Sequence, residues 1–341
     1  MAITGCDRRV FLSATASLAA SAAVPALRAQ TRLEKTRVTM AIGAKAAFHS
    51  LPLTIAEQLG YFRSQGLELE IADAAAGAAD VVSGSYDQVL GLQARGQHFQ
   101  SFVLQCRSPA IAMGVSPKTL PSYRSLASLV GRTIGISAPG SVSHLVASSV
   151  LIRSGLKPSD VSFAAVGSGT AALTALRAGQ IDAICSEEPI MTTLEQRGEV
   201  RIVADTRTLK GTLEVFGGPM PATCLYAAAD FVQKNPNTVQ ALTNAIVHAL
   251  KWLQTAGPGD IIKTVPQGYQ LGDSALYLAA FNKMREVIST DGSMPDDGPP
   301  TVLKALAGVD ASFKADRIEV ARTYRNDFVK RFKDPFTALR S

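Results

Sequence analysis

Two spacings of apolar residues alternate along this chain, and together they predict most of its elements. Residues 38–42 form a short apolar run that reads as a strand. A small and polar turn follows, then a helix over 52–59 with Pro52 in its first turn and Gly60 to close it. Residues 67–71 read as a second strand, 78–83 as a helix and 88–91 as a short strand, with the turn Asp73–Gly77 between the second strand and that helix. Residues 102–105 and 110–115 are further strands.

The stretch 131–189 is the most regular. It reads strand 133–137, breaker Ala138-Pro139-Gly140, helix to about 154, strand 161–166, turn 167–170, helix 171–178 and strand 181–185. Ser141 or Ser143 is the helix cap, and Gly155 with Pro158 beyond it is the stop. A strand over 200–204, a breaker cluster at 217–221 and a strand over 223–227 come next. The tail is helical: 239–255, 276–288, 301–307 and 317–332. In the first of these, Val239, Leu242, Ile246, Val247, Leu250 and Leu253 recur every three or four positions, as one buried helix face requires.

Strands alternating with helices at this spacing imply right-handed βαβ units and mostly parallel sheets. Chain crossings near 114–120 and 217–222 divide the chain into two α/β lobes, 36–115 with 222–341 and 116–221. Each lobe is then a mixed, mostly parallel sheet flanked by helices. Ligands in such sheets sit beyond the carboxyl ends of the strands, so the cleft between the lobes is the expected site.

Composition narrows the class. Of 341 residues, 47% are apolar and 18% charged, which supports large cores and excludes wholesale disorder. Residues 1–29 stand apart: Arg8-Arg9-Val10-Phe11-Leu12 is a twin-arginine pattern ahead of a short, alanine-rich apolar run. They read as an export signal to the periplasm, outside the fold. The net charge of +6 is spread along the chain, and no arginine cluster with interleaved aromatics suggests nucleic acid. The spacing of Cys106, Cys185 and Cys224 offers no local metal site. These cysteines read as buried free thiols; an oxidising compartment permits one disulfide, and Cys106 with Cys224 is then the pair to expect.

The strand ends supply the candidate site residues. Ser137, Ser141, Val142 and Ser143 bring hydroxyls and unpaired amides to a helix start, where the dipole favours an anion; plain capping explains the serines too. Phe48 and His49 end the first strand and can stack on or donate to a ligand, or be satisfied internally. Lys45 is the cation of that turn and can pair with an acid group or stay solvated. Gly167 and Ser168 can cradle a polar group or form a tight turn. Glu187 and Glu188 end a strand, where one can accept from a donor on the ligand, and Tyr86 sits in another turn. No spacing points to a zinc helix, a nucleophile elbow or a cofactor.

Several stretches resemble periplasmic solute-binding proteins of ABC transporters, of the nitrate, sulfonate, taurine and thiamine-precursor type. They are Pro52-Leu53-Thr54-Ile55-Ala56-Glu57-Gln58-Leu59-Gly60-Tyr61-Phe62, Gly131-Arg132-Thr133-Ile134-Gly135, Ala138-Pro139-Gly140-Ser141, and Gly167-Ser168-Gly169 with Ala175-Leu176-Arg177-Ala178-Gly179-Gln180-Ile181-Asp182-Ala183. The resemblance spans nearly the whole chain after the signal. It implies the type II periplasmic-binding-protein fold, a two-lobed flytrap without cofactor that captures a small ligand and, as a monomer, delivers it to an ABC permease. One turn departs from the family: Ala74-Ala75-Ala76-Gly77 is more apolar than its usual two glycines and a serine. That departure favours an organic ligand, probed at Gly77, over a simple inorganic anion. Two alternatives share the fold, an enzyme making a thiamine pyrimidine and a sensor presenting its ligand to a membrane receptor.

Overall fold

A computed structural model describes residues 32–43, 45–73, 79–270 and 272–332. The export signal and the Ala74–Gly77 turn, with the candidate Gly77, lie outside the described residues. Among the described residues, ten strands form two five-stranded sheets. They are β1 Arg37–Ile42, β2 Glu68–Asp73, β3 Val81–Ser85, β4 Phe99–Leu104, β5 Ile111–Val115, β6 Thr133–Ile136, β7 Ser162–Ala165, β8 Ala183–Glu187, β9 Arg201–Asp205 and β10 Thr223–Ala228. The orders are β2-β1-β3-β10-β4 and β7-β6-β8-β5-β9. The two sheets follow one plan. Three strands run parallel, and the fourth position holds an antiparallel strand, β10 in one sheet and β5 in the other. Each antiparallel strand is the first that the chain forms after arriving from the other sheet. Its amino end therefore lies beside the carboxyl ends of its neighbours.

That arrangement corrects the first crossing. β5 pairs with β8 and β9, so the chain leaves the first sheet between Leu104 and Ile111, not at 114–120. Residues 111–115 belong with the second sheet. The return falls between Asp205 and Thr223 and contains the helix Leu209–Phe216. Two other readings fail in type. Residues 81–85, expected as helix and turn, are β3, and 86–94, expected to hold a strand, are a helix. β3 is a central strand, where the β-branched pair Val81-Val82 is buried or half-buried between neighbours, and that tertiary setting overrides the alanine-rich approach. The expected helix over 317–332 reduces to short turns and the helix Asp327–Lys330.

Elsewhere local chemistry predicts the outcome. Ser141 caps the helix Val142–Arg153 by accepting from the His144 amide. Gly179 ends the helix Thr170–Ala178 at φ 72°, the left-handed geometry a side chain resists. The amphipathic Pro236–Thr255 helix buries Val239, Leu242, Ile246, Leu250 and Leu253 against the first sheet's largest apolar cluster. Two smaller clusters cover the faces of the second sheet. A further one joins Tyr86 and Tyr226 of the first lobe to Leu145 of the second, with the helix Gly298–Val309 between them.

Candidate functional site

The strand ends converge on a cavity of about 270 Å³ between the two sheets. Gly43, His49, Ser83 and Ser85 wall it from the first sheet, and Ser137, Ser141, Ser143 and Glu187 from the second. Thr223 and Ile111, the amino ends of the two antiparallel strands, complete the wall beside them. Gly43 follows β1, Ser85 ends β3, Ser137 follows β6 and Glu187 ends β8, so the topology alone collects these residues.

The serines form a connected set. Ser143 is buried, and its Oγ accepts from the Ser137 amide at 2.9 Å. The same oxygen lies 2.9 Å from both the Ser137 and the Ser141 hydroxyls. Ser141 also accepts from the His144 amide at 3.3 Å. The hydroxyls thus hold one another at the start of a twelve-residue helix, whose first amides have no intrahelical acceptor. That end of the cavity presents donors and the positive end of a helix dipole.

Across the cavity, His49 Nδ1 meets Glu187 Oε2 at 3.0 Å. His49 sits in the short Phe48–Ser50 turn of helix after β1, and Glu187 ends β8, so the contact joins the two sheets. Burial works against the imidazolium, but the hydrogen bond and the charge of Glu187 outweigh it and raise the His49 pKa above its ordinary value. With Nδ1 donating to Glu187, Nε2 is the remaining ring nitrogen.

Six of the sequence-derived candidates line the cavity: His49, Ser137, Ser141, Val142, Ser143 and Glu187. Others are drawn elsewhere. Phe48 is buried and stacks on Tyr277 with ring centroids 4.5 Å apart. Lys45 pairs with Glu57 at 2.8 Å, one helix away on its own lobe. Tyr86 is buried, with its hydroxyl on Thr323. Gly167 and Ser168 are exposed in the turn before the Thr170 helix and are not among the cavity's walls. Glu188 turns away from the cavity into a buried pair with Arg207 at 2.6 Å. Cys106, Cys185 and Cys224 are free and buried, in line with the reading as buried thiols, and Cys106 and Cys224 are not bonded to each other. The Cys106 thiol lies against the His49 carbonyl, whereas Cys224 packs with Tyr86, and burial pushes both thiols up to about 12.

The cavity residues missed are Gly43, Pro109, Ile111, Ala222 and Thr223 and, as one run, the end of β3: Val82, Ser83, Gly84, Ser85 and the following Gln88. The signal for that run was present. Val81-Val82 followed by Ser83-Gly84-Ser85 is a β-branched pair running into a polar, glycine-containing strand end. Gly84 also has a reason to be glycine, since a Cβ there would come within 3.0 Å of the Gln88 side-chain oxygen.

Residues 118–264 match the NMT1-like family. A protein of solved structure from Bordetella bronchiseptica RB50 is 50% identical, with 88% of this chain and 98% of that one covered and a TM-score of 0.83. The alkanesulfonate-binding protein SsuA from Xanthomonas axonopodis pv. citri, solved with MOPS bound, has a TM-score of 0.66 at 19% identity, covering 86% of this chain and 100% of that one. The periplasmic nitrate-binding protein NrtA from Synechocystis PCC 6803 has a TM-score of 0.68 at 13% identity, covering 87% and 88%. No curated protein matches the sequence. At such low identity SsuA and NrtA speak for the fold, the two-lobed periplasmic-binding-protein architecture, while the half-identical relative and the family match speak for kinship. The chain belongs to the NMT1-like family, with the fold of the periplasmic sulfonate- and nitrate-binding proteins of ABC transporters.

Proposed function

We propose that this protein is the solute-binding component of an ABC-type importer, capturing a small organic anion by closing its two lobes over it. The observation that carries the reading is the cavity itself: both sheets contribute polar strand ends to one cavity, so a ligand held there contacts both lobes at once. The anion's place is the start of the Val142 helix, where amides and the serine set supply donors, with His49 facing it from the other lobe. Lys45 is committed to Glu57, so His49 is the cation nearest that place among the candidates. Glu187 sits on the same wall and disfavours a second negative charge, which selects a monoanion carrying a donor group elsewhere.

The hinge in this reading is the pair of crossings, 105–110 and 206–222. Residues 1–29 direct export to the periplasm, and the mature chain works as a monomer that hands its ligand to an inner-membrane permease. SsuA, which shares the fold, is an alkanesulfonate-binding protein, and NrtA a nitrate-binding one, in keeping with an anionic ligand. A thermal-shift screen of MOPS, methanesulfonate, taurine, benzoate and an aminopyrimidine is the test. A binder at 100 times its Kd stabilises the fold by about 2.7 kcal/mol. The expected hits are organic monoanions, recovered chemically unchanged; a best hit that is cationic, or one that is turned over, refutes the reading.

A further inference from the structure

We propose that His49 and Glu187 form a proton-coupled latch across the cleft, so that closure takes up a proton at His49 even without ligand. The proposal deepens the closure reading and rests on it. Its basis is geometric. The two residues come from different sheets, yet their side chains meet at 3.0 Å on the cavity wall. Opening the lobes along the crossings must separate them. A histidine that gains a carboxylate only when the lobes meet binds its proton more tightly closed than open, and protonation in turn favours closing.

The surroundings leave Glu187 as the group that sets this behaviour. On its own segment, Lys45 is held by Glu57. The thiol of Cys106, which lies just beyond β4, approaches only the His49 carbonyl and stays protonated at neutral pH. Tyr277, on the helix Ser274–Met284, packs on Phe48 and also stays protonated. At the helix start, His144 Nδ1 accepts from the Gly140 amide at 3.1 Å, an arrangement open only to an unprotonated Nδ1. The opposing Ser137, Ser141 and Ser143 carry no charge. One proton on His49 therefore changes the charge across the cleft without compensation from these neighbours.

The direction follows. Below the open-state pKa, His49 is protonated in both forms and the latch acts at full strength. As pH rises through the higher closed-state pKa, the proton leaves and the latch is lost. The ratio of closed to open forms changes by roughly tenfold for each unit by which the two values differ. Glu187 is thus a positioning residue: it decides when the His49 Nε2 can donate to an anion.

The test needs no ligand. Spin labels at S159C on the second lobe and K234C on the first, both exposed sites, report the lobe separation in a Cys6→Ser background; the three remaining cysteines are buried. Distance distributions are recorded from pH 5.5 to 8.5, and histidine titrations are followed by NMR. There are four histidines, so single substitutions assign the His49 signal. The expected result is two distances, with the shorter one losing population as pH rises, His49 titrating above its ordinary value, and both effects abolished by Glu187→Gln; His49→Gln flattens the distance populations. Two distances whose proportions ignore pH, or a His49 titration that Glu187→Gln leaves in place, overturn the latch while leaving closure intact. A single distance at every pH overturns the closure reading and the latch with it.

Discussion

Glu187 and Glu188 are neighbours at the end of β8, yet they live in different electrostatic worlds. Successive strand side chains point to opposite faces. Glu187 points into the cleft, where its side chain is 22% exposed, and it meets a His49 that is 31% exposed. Glu188 points inward with no exposure and meets Arg207, itself 2% exposed. Around Arg207 the acceptors multiply: Asp205 grips it through two nitrogens at 2.8 and 2.6 Å, and Glu195 accepts at 2.8 Å while also taking Lys283 from the first lobe. Burial opposes the Arg207 cation, but its hydrogen bonds to Asp205 and Glu195 and the charge of Glu188 outweigh it and raise its pKa. Thr192 donates to Glu188 from both its amide and its hydroxyl, at 3.0 and 2.9 Å. A cluster of this kind, built on the buried Arg207–Glu188 pair and joined by several further partners, resists change. A single part-exposed pair such as His49–Glu187 can be made and broken, and so can respond to a moving lobe or a proton.

The sharpest way to break this comparison is to remove one partner from each region. Arg207→Ala leaves the buried Glu188 carboxylate without its ion partner and should cost about 3–5 kcal/mol. Urea denaturation would measure it, and a loss under about 1 kcal/mol would mean that the cluster is not structural. Next in size is the donor end of the cleft. Ser141→Ala with Ser143→Ala should weaken an organic monoanion found in the screen by about tenfold or more, because hydrogen bonds to charged groups contribute roughly 1.5–3 kcal/mol each. Calorimetry decides it; a change under twofold removes the anion from the helix start. Part of any stability change in that variant is the lost cap, about 1 kcal/mol.

Glu187→Gln is the counterpart to Arg207→Ala and should cost no more than about 1 kcal/mol, the range of partly exposed pairs. Its signature is pH dependence. The folded-state pKa of His49 is raised, so the pair's contribution is complete below about pH 6.5, the unfolded value, and disappears as pH rises through the raised one. Wild type and variant should therefore differ in urea midpoint at pH 6 and coincide at pH 9. A difference that persists at pH 9 would assign the effect to packing. Smallest of all is Lys45→Ala, expected within ±0.5 kcal/mol of wild type and without effect on affinity, since its partner Glu57 lies outside the cleft. A clear loss of affinity would bring Lys45 back into the site.

The sequence by itself determined the alternation of strands and helices from 131 to 187, the helix start at Ser141 and the amphipathic Pro236–Thr255 helix. These rest on interactions within a few residues: caps, glycine stops and apolar periodicity. It also indicated where to look, because the ends of parallel strands are legible once the strands are. Tertiary structure alone decided which of those ends share a cavity. Phe48 reads as a cleft aromatic until Tyr277, more than two hundred residues away, offers it a stacking face. Glu187 and Glu188 are indistinguishable as letters; the partners Arg207 and His49, brought in by other strands, separate them. β3 reads as a helix until its central place in the sheet is known, and the serines at its end were missed with it. β5 belongs to the second sheet because antiparallel pairing with β8 and β9 claims it, and strand partners are long-range choices that local patterns do not carry.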